Sequence, residues 1–149
     1  MRTKKSQLRP GRVFPALIFA LAALACQPPA RAAEGDVTLE LNKLEGMDAA
    51  CRAYILLTNK TKAAFSSLKL DLVMFDKDGI VARRVAVEAA PISAGKTSLK
   101  VFDIQDLKCD GIGRVLLNGV MSCAAADGPR ADCIGLIAAS SRAGVPLIK

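Results

Sequence analysis

The sequence predicts an all-β domain, a small antiparallel sandwich of two sheets. Three observations predict it. Short apolar stretches recur at roughly ten-residue spacing. Most alternate apolar and polar residues, the two-residue period of a strand with one buried face. Turn-forming residues lie between them, and that combination is the mark of a sandwich or barrel.

Residues 37–41, VTLEL, alternate cleanly. Residues 52–59, RAYILLTN, form a second strand that ends in a turn at Asn59-Lys60-Thr61. Residues 67–75, SLKLDLVMF, are the clearest: Leu68, Leu70, Leu72 and Met74 share one face, Lys69 and Asp71 the other. Val73 and Phe75 then join Asp71's face, so this end of the strand is expected to be covered on both sides. Residues 76–79, DKDG, set Gly where a turn needs positive φ. Residues 80–88, IVARRVAVE, return and complete a hairpin. A loop follows at 90–96, with Pro91 and Gly95. Residues 97–104, TSLKVFDI, are another strand, and a slip in apolar spacing between Val101 and Phe102 suggests a bulge.

Beyond residue 104 the pattern weakens. Residues 105–113 are polar and glycine-bearing, and 114–120, RVLLNGV, fit a strand or a short helix. Asn118-Gly119 reads as a tight-turn dipeptide. Residues 133–139, CIGLIAA, are a last apolar segment, and the tail from Ser140 carries weak structure signals. A small α+β fold is the alternative, should 105–121 or 133–142 be helical.

The front of the chain is of another kind. Residues 1–12 hold Arg2, Lys4, Lys5, Arg9 and Arg12 and no acid, and residues 13–26 carry no charge. Pro28 and Pro29 then precede Ala30-Arg31-Ala32. A basic start, an apolar middle and small residues at a cleavage site describe a secretory signal peptide, cut between Ala32 and Ala33. The apolar run is shorter than the roughly 20 residues of a membrane span. Cys26, preceded by Ala22-Ala23-Leu24-Ala25, offers a second expectation: lipidation there, giving a membrane-anchored lipoprotein. The expected domains are therefore a signal peptide at 1–32 and one sandwich at 33–149, with a weakly structured C-terminal tail. The location is periplasmic or secreted, and a membrane is a partner only if Cys26 is lipidated.

Removing residues 1–32 changes the electrostatic reading. The whole chain has a net charge of +7, from 21 basic and 14 acidic residues. Six of those basic residues and none of the acids lie before Ala33, so the remainder carries 15 against 14. The basic footprint of a nucleic-acid binder is therefore missing. The chain has no His, the commonest general base and metal ligand, and no Trp.

Cysteine arithmetic becomes even. Of five cysteines, Cys51, Cys109, Cys123 and Cys133 follow the cleavage site. An exported domain keeps disulfides, and four cysteines allow three pairings. Cys51–Cys109 and Cys123–Cys133 are favoured. The second encloses a short loop with its own turn signal, and the first ties an early strand to a late loop. Chain-entropy arguments assign the long loop about 4 kcal/mol and the short one about 3 kcal/mol. No C-x-x-C pair supports a zinc or redox site.

Residues 54–104 resemble small immunoglobulin-like modules of exported bacterial proteins. The likeness rests on an N-x-T turn, a strand ending in F-x-D-x-D-G, a returning strand and A-G-K-T before the next strand. Over most of residues 39–149, LELNKLE, CRAY, SLKLDLVMFD, KTSLKVFDI, CDGIGRVLLN and SSR with VPL resemble an uncharacterised family of exported bacterial proteins, often labelled by a Tat-type signal. This resemblance implies export and a cysteine-stabilised domain, and no activity. The twin arginines of that signal are absent here, because Arg9 and Arg12 are separated.

Chemistry-bearing motifs are sparse. Asp76, Asp78 and Glu88 are candidates for an ion site, although a calcium loop needs more ligands and a Glu twelve residues from the first Asp, where Val87 stands. Arg83-Arg84 point to opposite faces of their strand. One should be solvated and the other paired or at an edge. Ser66-Ser67 and Ser140-Ser141 have no His to activate them, and no G-x-S-x-G elbow is present. The expectation is a non-enzymatic module without metal or cofactor, a monomer that works through contact with another envelope protein. A small-ligand or calcium-binding periplasmic module is the alternative, and a Ser–Lys hydrolase is a third reading.

Overall fold

The computed structural model describes residues 35–149. Their nine strands are β1 (Val37–Gly46), β2 (Ala50–Asn59), β3 (Phe65–Phe75), β4 (Val81–Glu88), β5 (Thr97–Gln105), β6 (Arg114–Ala125), β7 (Gly128–Pro129), β8 (Ile137–Ser141) and β9 (Leu147–Ile148). Cys109–Gly111 form one 3-10 turn, and Cys133–Leu136 form α1, a single helical turn. The expected all-β sandwich is the structure found.

One sheet has the order β5-β2-β1-β8. The other runs β4-β3-β6, with β7 and β9 each pairing a different end of β6. The β1–β2 hairpin lies wholly in the first sheet and the β3–β4 hairpin in the second. The chain crosses back so that β5 pairs with β2, and crosses again so that β6 pairs with β3. These crossovers are of the Greek-key kind used by immunoglobulin-like sandwiches. Two pairings depart from an antiparallel plan: β8 lies parallel to β1, and β9 parallel to β6.

The core is what the alternation dictates. Leu39, Ile55 and Leu57 from one sheet meet Leu68, Leu70, Leu72 and Met74 from the other, all at most 2% exposed. The DKDG turn forms as expected. Gly79 has φ +82°, and Asp76 Oδ1 accepts from the backbone N–H of Asp78 and Ile80 at 3.0 and 2.8 Å. At Gly113 a Cβ would overlap the carbonyl of Asp76, so only glycine lets this connection pass beneath the turn.

Several expectations require correction. The tail is not weakly structured: Ser141 Oγ bonds Val145 O, Leu147 is buried, and β8 and β9 join opposite sheets. No bulge separates Val101 from Phe102, since β2 and β5 pair without interruption. The slip arose because β5 carries apolar residues on both faces. Asn118-Gly119 makes no turn; it lies inside β6, where the register with β3 shifts. The α+β alternative falls, because 114–125 is strand and helix in 133–142 is limited to one turn.

Both favoured disulfides are present. Cys51–Cys109 ties the start of β2 to the 3-10 turn, and Cys123–Cys133 ties β6 to α1. They place the folded domain in an oxidising, extracytoplasmic compartment. No helix among the described residues is long and apolar enough to cross a membrane. Ala32, Ala33 and Cys26 lie outside the described residues.

Candidate protein-interaction face

The outward face of the β5-β2-β1 sheet carries an apolar centre with a polar rim. Register places Leu99 opposite Leu56, and Val101 opposite Tyr54. Leu99 is 55% exposed and Val101 47%, on a strand whose inward face holds Phe102 and Ile104. Beyond Val101, Arg52 grips Asp103 through two bonds, Nε to Oδ1 at 2.7 Å and Nη2 to Oδ2 at 3.0 Å. That fork holds the Asp103 carboxyl below the usual carboxylate range. Beyond Leu99, the hydroxyls of Thr58 and Thr97 lie 3.0 Å apart. On the β1 side, Tyr54 donates its hydroxyl to Glu45, which lowers the Glu45 pKa and raises that of Tyr54. Lys43 stands over the Tyr54 ring, 5.1 Å from its centroid. The face therefore combines an apolar centre, one Tyr and a rim of fixed charges.

The residues proposed for ion binding do not assemble. Asp76 and Asp78 sit in the β3–β4 turn, and Glu88 lies at the far end of β4, about 25 Å away along an eight-residue strand. Glu88 Oε1 accepts from the backbone N–H of Leu68 and Ala90 at 2.8 and 3.0 Å. Among the described residues, no group of three or more acidic or cysteine side chains could hold a metal ion.

The arginine pair divides as its strand requires. Arg83 turns inward at the sheet edge and bonds Gln105 O at 3.0 Å and Asp106 Oδ2 at 2.7 Å. Arg84 turns outward and forks onto Asp71, 2.8 Å at each oxygen. Three of the four paired serines are engaged as well: Ser67 Oγ lies 2.8 Å from Ser122 Oγ, and Ser66 Oγ lies 3.4 Å from Ala124 O. Ser141 Oγ bonds backbone carbonyls.

No family model and no curated protein matches the chain. A solved structure, described as the structural characterization of IrmA from Escherichia coli, is similar to it. The identity is 11% and the TM-score 0.53, covering 70% of this chain and 91% of that one. The likeness is one of fold.

The face at Leu99 and Val101 was missed at the sequence level. Its signal was the slip at Val101-Phe102: apolar residues at 99 and 101 run out of phase with those at 102 and 104, so one face had to be wet or docked.

Proposed function

We propose that the protein is an exported, non-catalytic interaction module of the bacterial cell envelope, which docks another envelope protein through the outward face of β5 and β2. The observation that carries this reading is the pair Leu99 and Val101, half-exposed side by side on a strand at the sheet edge. Full burial of a Leu or Val side chain is worth roughly 1.5–3 kcal/mol, so covering the exposed half of each contributes about 1 kcal/mol. The absence of His and the structural engagement of Ser66, Ser67 and Ser141 favour a binding role over catalysis. Export rests on the signal-like residues 1–32, with lipidation at Cys26 as the alternative anchor.

The test is photo-crosslinking in the producing cell, with the crosslinker placed at Leu99, at Val101 and at exposed Lys62 as control. The expected result is one protein captured from positions 99 and 101 and not from 62. Capture from neither apolar position removes the reading.

A further inference from the structure

Asn118-Gly119 interrupts β6 without a structural reason. The dipeptide does not turn the chain. Gly119 has no positive φ, so it is not the left-handed glycine of a G1 bulge. A Cβ built there would meet no atom within 4 Å. Glycine inside a strand weakens it, and here neither backbone geometry nor close packing requires it. The register between β3 and β6 shifts at the same place. Asp71 pairs with Gly119 and Leu72 with Leu117, which leaves Asn118 without an opposite residue. What the pair does supply is chemical. In an asparagine followed by glycine, no neighbouring side chain shields the asparagine amide from the next backbone nitrogen.

The reaction that this opening permits is deamidation. Gly119 N attacks Asn118 Cγ and closes a succinimide ring. The Cγ–Nδ2 bond breaks, the Gly119 N–H proton passes to Nδ2, and ammonia leaves. Water then opens the ring to aspartate or isoaspartate. In the folded domain the leaving group is held. Asn118 Nδ2 donates to Asp71 Oδ2 at 2.6 Å, and Arg84 grips the same carboxylate from β4. Ring closure must turn the Asn118 side chain back toward its own main chain and so break that bond. The product fits the site worse than the reactant. Aspartate sets an oxygen where Nδ2 donated, so two carboxylates share one guanidinium, and like charges disfavour each other's ionised form. Isoaspartate also lengthens the main chain of β6 by one carbon.

We propose that Asn118 is a modification site gated by the fold. While β6 lies against β3, the amide is held and the residue persists. When β6 detaches, the amide is free and deamidates. The new carboxylate then opposes the return of β6 to Asp71, so an opening that reacts leaves a permanent mark. This inference is independent of the interaction face on β5 and β2.

The test follows deamidation by peptide mapping of the disulfide-bonded domain at mildly alkaline pH, folded and in urea. The chain has three asparagines, and Asn42 and Asn59 both precede a lysine, so a mass gain is readily assigned. The expected result is reaction at Asn118 in urea and a rate at least about tenfold lower in the folded domain, because reaction through an open state follows that state's population. Gly119→Ala should fold normally, since its Cβ enters open space, and should suppress the reaction in urea. Asn118→Asp should be about tenfold less stable, by its unfolding constant, than Asn118→Ala, which loses the same donor without adding a charge. A folded domain that reacts as fast as the unfolded chain overturns the proposal. So does reaction in urea at Asn42 or Asn59 ahead of Asn118, undiminished reaction in Gly119→Ala, or an Asn118→Asp variant as stable as Asn118→Ala.

Discussion

Asp71 occupies an outward position on β3, yet it is only 4% exposed. Arg84 forks onto both its oxygens from β4, and Asn118 Nδ2 donates to Oδ2 at 2.6 Å from β6. One carboxylate thus joins three adjacent strands. Those bonds, Arg84's first, hold its carboxyl below the usual carboxylate range. A depressed folded-state pKa adds stability above the unfolded pKa, about 4, and loses it as pH falls through the folded value. Asp71→Asn should cost about 1.5–3 kcal/mol near neutrality, the range for hydrogen bonds to charged groups. It should also flatten the fall in stability below about pH 4, read from urea unfolding across pH. Asn59 is the other buried polar residue among the described residues, fully covered. Its amide donates to Ala63 O and Ser93 O, and its Oδ1 accepts from the N–H and hydroxyl of Thr61. Asn59→Ala should destabilise by about 1–3 kcal/mol, because Ser93 O and the Thr61 N–H lose their partner while Ala63 O and the Thr61 hydroxyl keep each other. The turn at Asn59 was legible from the sequence, since Asn and Thr two residues apart favour such closure. The triad at Asp71 was not, because alternation tells which face a residue takes and not which strand will lie beside it.

At the scale of elements, strands with one wet face were legible and strands with two apolar faces were not. β1, β2 and β4 alternate in the sequence as they do in the structure, and β3 is buried on both faces from Leu70 to Met74, the end where Val73 and Phe75 joined Asp71's face in the sequence. β6 hid its nature because its register with β3 shifts at Asn118 and again at Met121, and each shift reverses the phase of the pattern. β8 and β9 are short and pair in parallel, which leaves no hairpin signal. The disulfide pairing followed from which cysteines close a local loop, and the structure places them so. The two bridges span 58 and 10 residues. Replacing Cys51 and Cys109 together by Ala should therefore cost about 4 kcal/mol, and replacing Cys123 and Cys133 about 3 kcal/mol, by the entropy of the loops released. Equilibrium unfolding of the two double variants checks the order.

For the whole molecule, the first quantity to measure is the intact mass of the exported protein before and after reduction. The two disulfides predict a gain of four hydrogens. A chain beginning at Ala33 is the outcome expected for a signal peptide, and a chain beginning at an acylated Cys26 would move the search for partners to the membrane surface. The position of β8 and β9 adds a matter of closure. β8 lengthens one sheet beside β1, and β9 lengthens the other beside β6. Between them, Arg142 N bonds Leu41 O, and Val115 N bonds Pro146 O. Detaching residues 137–148 would therefore take a neighbour from β1 and from the start of β6 at once, opening an edge on both sheets. This one stretch is a clasp across the sandwich, and loosening it uncovers two strand edges rather than one.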